Sequence, residues 1–126
     1  MKHCLLALLF IMLLSGWANA QNKPESNRQF MQITTIESIV GGGVGRSKII
    51  ITSPDGSQDE MDLENLFSLT GINFKNIKSN ELKITQTIKG YSDRGWKLEQ
   101  VIPLSVSPGE HSTGIFMTRY LLSKGE

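Results

Sequence analysis

The stretch NELKITQTIKGYSDRGWKLEQV, Asn80 to Val101, constrains the fold more than any other part of the chain. It reads as one helix, a stop at Gly95 and a strand that opens at Trp96. Ser79 or Asn80 suits an N-cap, because a short polar side chain accepts from the free amides of a first turn. Glu81 then stands where the helix dipole favours an acid. Ile77, Ile84, Ile88 and Tyr91 recur at helical spacing and make one buried stripe, with Lys83, Gln86, Lys89, Asp93 and Arg94 on the wet side. Gly95 suits the left-handed turn past a helix end, and Trp96 is expected to fold back against Tyr91. Gly90 is a local conflict, since glycine inside a helix costs about 1 kcal/mol; it implies close helix–sheet packing or an irregular turn. Beyond Gly95 the period becomes two. Trp96, Leu98, Gln100 and Ile102 alternate with Lys97, Glu99 and Val101, which predicts a strand with one mostly apolar face.

Residues 1–20 have the features of a secretory signal peptide: a basic start at Lys2 and His3, the apolar run Leu5 to Leu14, and the small-residue site Ala18-Asn19-Ala20. Cleavage is expected after Ala20, with export to the periplasm or beyond the cell. Leu14-Ser15-Gly16-Trp17 resembles a lipobox, but Trp17 stands where that motif needs cysteine, so no membrane anchor is expected. The one cysteine, Cys4, lies in the signal, which leaves the mature chain without disulfide or thiol chemistry. Lys2 is the one Lys or Arg of the first twenty residues, so 12 basic and 12 acidic residues remain. That balance gives no reason to expect nucleic acid or an anionic membrane as a partner.

Gln21 to Arg28 is polar and reads as a flexible leader, with a single domain over 29–124. Gln29 to Val40 is a strand by its β-branched content. Its alternation is imperfect, which predicts a bulge near Thr34-Thr35 or burial on both faces, and it is a candidate exposed edge. Ser47 to Thr52 and Gln58 to Leu63 form a hairpin about the turn Ser53-Pro54-Asp55-Gly56. In the second of these strands Met61 and Leu63 point in. Glu64 to Ser68 reads as one helical turn, and Thr70 to Phe74 as a connector. Pro103 places the strand after Trp96 near an edge or at a bulge. Gly114 to Leu122 is apolar on both faces and belongs inside the sheet. The expected fold is α+β: an antiparallel sheet of about five strands, β-β-β-α-β-β, with one main helix at about 80–94 on one face.

At RGWKLEQVI, followed by a hairpin and GIFMTRYLL, the chain resembles a group of small uncharacterised exported bacterial domains of Bacteroidetes type. These share a helix, a Gly-Trp turn and two antiparallel strands, the last ending in an aromatic-apolar run. Gly95, Trp96, Leu98, Val101, Phe116, Tyr120 and Leu122 carry the likeness, which covers roughly the last 45 residues. The GGGVGRSK loop and the LTGINFKNI connector also look like those of small exported proteins from such bacteria. The resemblance implies a compact α+β fold and brings no activity or catalytic residue.

GGGVGRSK, Gly41 to Lys48, fails as a phosphate loop because no glycine precedes the lysine directly, and it fails the dinucleotide spacing too. A turn between antiparallel strands is the plain expectation. The functional alternative is an anion site in which Gly43 and Gly45 amides act with Arg46 and Lys48. Asp55, Asp59, Glu60, Asp62 and Glu64 lack EF-hand spacing and read as a solvated face. His111, with Ser112 beside it, lies in a turn and has no triad or zinc spacing. No cofactor and no metal site is therefore expected. Gly95, Trp96 and Tyr91 are structural. The leading expectation is an exported non-catalytic domain that binds another protein or itself. A small-ligand or anion binder using the Gly41–Lys48 loop comes second, and a carboxylate-dependent hydrolase last.

Overall fold

The strand-forming runs and the helical stripe assemble, in the computed structural model, into one antiparallel sheet with a long helix on one face. The structure describes residues 27–40, 46–107 and 114–125. The elements are β1 (Gln29–Ser38), β2 (Ser47–Thr52), β3 (Gln58–Leu63), the two-residue strands β4 (Phe67–Ser68) and β5 (Gly71–Ile72), α1 (Phe74–Ser92), β6 (Lys97–Val106) and β7 (Ile115–Lys124). The main sheet has the order β3-β2-β1-β7-β6, and β4 pairs only with β5. This is the α+β architecture that the sequence predicts.

The order decides which strands are edges. β1 lies between β2 and β7, so the expectation that Gln29–Val40 forms an exposed edge is corrected. Its pairing with both neighbours runs without a register shift, so no bulge interrupts Thr34-Thr35. The imperfect alternation reflects partial burial on both faces: Met31 and Ile33 are buried on the helix side, while Thr34 is buried and Ile36 and Val40 half-buried on the other. β7 is interior as its composition implies. The edges are β3, which is acidic, and β6, which carries Pro103.

Register assigns the faces. Met31, Ile33, Ile49, Ile51, Leu63 and Leu122 are buried under α1, with Met61, Ile84, Ile88, Tyr91, Trp96 and Tyr120 packed against them. Full burial of one such side chain stabilises the fold by about 1.5–3 kcal/mol. The β2–β3 hairpin closes as predicted. Gly56 sits at φ 83°, its N–H donates to the Ser53 carbonyl at 2.9 Å, and Asp55 accepts from the Ser57 amide at 3.0 Å.

The helix begins earlier than expected. Asn73 is the cap, its side chain accepting from the amides of Lys75 (3.1 Å) and Asn76 (3.3 Å). Asn80, read as a cap, is a mid-helix residue 1% exposed. The turn expected over Glu64–Ser68 is replaced by the β4–β5 hairpin. Its ends are tied down by main-chain bonds from Leu66 N–H to the Ser38 carbonyl and from Asn73 N–H to the Leu66 carbonyl, each 2.9 Å. The far end of α1 follows the sequence. Gly95 N–H donates to the Ser92 carbonyl (2.9 Å), Trp96 N–H donates to the Tyr91 carbonyl (3.1 Å), and Gly95 takes φ 88°. This is a Schellman stop. Trp96 packs half-buried at the core margin.

Candidate interaction surface

α1 is one helix over five strands, and it lies on the β1–β2–β3 side of the sheet. Among the described residues no element covers most of the other half, where β6 pairs with β7. All ten residues of β6 are exposed. A register shift between Leu98 and Gln100 reverses the alternation that the sequence implies for this strand. Leu98 and Val101 therefore share the helix-side face, opposite Leu122 and Tyr120. Ile102, Leu104 and Val106 share the open face, opposite Arg119, Met117 and Ile115. Both faces of β6 are apolar as a result. Leu98 and Val101 are 46% exposed, Leu104 44% and Val106 59%. On the open face the apolar surface continues inward through the half-buried Met117, Leu121, Ile36 and Ile50.

The bulge is fixed by a polar cluster. Arg28 donates to Glu99 Oε1 at 2.5 Å and to Ser123 Oγ at 2.8 Å, and the Ser123 hydroxyl also donates to Glu99 Oε1. The Ser123 hydrogen bond, with the Arg28 charge behind it, holds the Glu99 carboxyl below its ordinary value. Arg28, assigned by sequence to the leader, is thus tied to the sheet and stacks over the Phe30 ring at 5.5 Å.

Gly43 and Gly45 lie outside the described residues, as do His111 and Ser112. Arg46 is exposed at the entry to β2. Lys48 is on the open face of β2, in an ion pair with Glu60 on β3. That pair, with the nearby Asp62 charge, raises the Lys48 ammonium above its ordinary value. The acidic residues are sent to opposite faces by β3, and among the described residues no three His, Cys, Asp or Glu side chains converge to hold a metal. Tyr91, Gly95 and Trp96 lie together at the foot of α1, where the Trp96 N–H meets the Tyr91 carbonyl.

Gly90 does not mediate close packing. A Cβ there would meet nothing within 4 Å. The residue instead borders a cleft of about 230 Å³ between α1 and the β2–β3 hairpin, lined by Ile51, Met61, Thr87, Tyr91 and Arg94 among others.

Sequence reasoning missed Asn80 and the Arg28–Glu99–Ser123 cluster. Asn80 carried a usable signal, because it falls on the same helical stripe as Ile77 and Ile84. Glu99 carried none, since its partners are 71 and 24 residues away. No helix among the described residues is long and apolar enough to cross a membrane. Comparison with protein families, curated proteins and solved structures gives no match for the chain.

Proposed function

We propose that this chain is an exported, non-catalytic domain that self-associates through the β6–β7 half of its sheet. The observation that carries the reading is β6: ten exposed residues, uncharged from Gln100 to Val106, with apolar side chains on both faces. Contiguous exposed apolar surface marks an interaction site. The contrast with the other edge supports it, since β3 presents Asp59, Glu60 and Asp62, the charges that blunt an edge against pairing.

Pro103 shapes the mode of association. It has no N–H and interrupts any ladder a further strand could build on β6. Packing of side chains over the open face is therefore favoured above strand addition. β1, β7 and β6 each have ten residues. At about 3.3 Å per residue and about 4.8 Å between strands, that face covers on the order of 500 Å². Two copies would bury on the order of 1,000 Å², the lower bound for a specific interface. A chain whose 12 basic and 12 acidic residues cancel after Ala20 has no net charge opposing a second copy.

The test is sedimentation equilibrium over a range of concentrations. A dimer is expected for the chain and a monomer for Ile102→Glu combined with Leu104→Glu; both positions are exposed, so the variant should fold. A monomer for the unaltered chain at every concentration overturns the reading. Export is supported by the basic start, the apolar run and Ala18-Asn19-Ala20, and an intact mass beginning at Gln21 in the exported protein checks it.

A further inference from the structure

The three most exposed large apolar side chains among the described residues are not on the sheet. They are Leu69 at 89%, Phe74 at 68% and Leu82 at 60%, with Ile72 beside them at 55%. Leu69 stands in the turn of the β4–β5 hairpin, Ile72 on β5, and Phe74 and Leu82 on α1. The hairpin is held by its own bonds. Phe67 pairs with Ile72 and Ser68 with Gly71, the Ser68 hydroxyl donates to the Gly71 carbonyl at 3.2 Å, and Gly71 takes φ 116°. Asn73 then caps α1 directly. Leu69, Ile72 and Phe74 thus stand in water within one six-residue stretch whose backbone is bonded in place.

Charge sets the kind of partner. From Asn65 to Leu82 the charged residues are Lys75 and Lys78, within one helical turn of Phe74, and Glu81 beyond them, all exposed, which leaves the tip with a net positive charge. Lys78 lies midway between Phe74 and Leu82 at four-residue spacing, so all three share one strip of the helix. Lys75 adjoins Phe74. Leu69 is 89% exposed in the β4–β5 turn, which suits insertion into a soft medium better than a fit into a rigid pocket. Apolar tips that enter the headgroup–acyl boundary while lysines stay level with the phosphates are how a protein lies on an anionic bilayer.

We infer that the Leu69–Leu82 tip docks on an anionic lipid surface, with Leu69, Ile72 and Phe74 entering the bilayer boundary and Lys75 and Lys78 meeting lipid phosphates. The tip is built on β4, β5 and the first half of α1, apart from β6, so this inference stands independently of self-association.

The experiment is co-sedimentation of the full chain with vesicles of mixed phosphatidylglycerol and phosphatidylcholine, and with vesicles of phosphatidylcholine alone. Binding is expected to favour the anionic vesicles and to weaken with salt. Leu69→Ser combined with Phe74→Ser should weaken it by about tenfold or more, as removal of two inserted side chains demands. Lys75→Glu with Lys78→Glu should abolish the anionic preference. Val106→Ser, a change at an exposed apolar position on β6, should leave binding unaltered. All four positions of the tip variants are exposed, so circular dichroism should be that of the parent. Absence of binding to either vesicle overturns the inference. So does binding that survives both tip variants, as binding driven by the apolar Leu5–Leu14 run would, or an equal loss in Val106→Ser.

Discussion

The Asn80 side chain bonds both polar groups of the Glu64 main chain: its Oδ1 accepts the Glu64 N–H at 2.8 Å, and its Nδ2 donates to the Glu64 carbonyl at 2.8 Å. The same Nδ2 donates to Glu37 Oε1 at 3.1 Å. One amide therefore stands in for a neighbouring strand just where β3 ends, and it joins helix, β3 and β1. A second layer surrounds it. Ser47 Oγ accepts the Ser38 N–H and donates to Asn65 Oδ1, each at 2.9 Å, and Asn76 Nδ2 donates to the Asn65 carbonyl at 2.8 Å. Among the described residues no buried side-chain polar atom lacks a partner. Such a network fixes one geometry because any half-satisfied alternative is costly.

Asn80→Ala should cost about 2–4 kcal/mol, because it leaves the two Glu64 groups without partners in a partly buried place. Asn80→Asp conserves the size and should also destabilise at neutral pH, since a carboxylate there faces the Glu37 carboxylate and the Glu64 carbonyl. The introduced carboxyl would have a raised pKa in the folded state. Its penalty should therefore shrink as pH falls and the group protonates. Urea unfolding of both variants at neutral and acidic pH measures this; a constant gap between Asn80→Asp and the parent across pH would contradict it.

A second pH effect comes from Tyr120. Burial raises its phenol above the ordinary value of 10.0; a hydrogen bond to Thr35 opposes the rise, and the Glu37 charge adds to it. The unfolded phenol ionises first as pH climbs. The contribution to stability is thus fully present below 10.0 and declines above it, through the folded pKa. Tyr91 and Tyr120 are the only tyrosines. Ultraviolet titration of Tyr91→Phe therefore reads Tyr120 alone, and its midpoint should lie above that of the same chain in denaturant.

What the sequence made legible was local. Ser53-Pro54-Asp55-Gly56 and the Gly95-Trp96 stop are determined by turn chemistry within a few residues, and both appear as read. Asn80 was misread because the preference of asparagine for caps is local too, while its actual partner is a backbone group 16 residues back. The alternation of β6 was misphased because its bulge is held by Arg28, 71 residues before Glu99. Apolar alternation could not show that β1 is central and β6 an edge, since both carry apolar residues on two faces. Pro103 alone pointed to the right edge. The candidate surface escaped for the same reason: a side chain's type does not report whether another layer covers it. The glycine-rich Gly41–Lys48 stretch drew attention by composition, yet its Lys48 is engaged in an ion pair across two strands.

Trp96 packs against the core without being fully covered. Full burial of a tryptophan would make truncation cost about 3–5 kcal/mol. For Trp96→Ala the expected cost is lower, about 2–3 kcal/mol, because part of the ring is already in water. Its fluorescence in the folded state should report partial exposure, with a maximum between those of buried and free indole. Loss of less than about 0.5 kcal/mol, the range of ordinary surface changes, would mean that the ring does not close the foot of the core.

Two glycines separated by five positions should answer the same substitution with opposite signs. Gly90 has helical backbone and open space where a Cβ would go. Gly90→Ala should stabilise by up to about 1 kcal/mol, since it removes the helix penalty of glycine without a clash. Gly95 is at φ 88°, and a Cβ there would lie 3.6 Å from Lys124 Cε, ordinary contact. The obstacle at Gly95 is the backbone conformation alone, so Gly95→Ala should cost about 1–2 kcal/mol. Chemical denaturation of the two variants side by side gives both signs in one comparison. If Gly90→Ala also destabilised, the gap over Ile51 and Met61 would have to be a space that the fold needs to keep open.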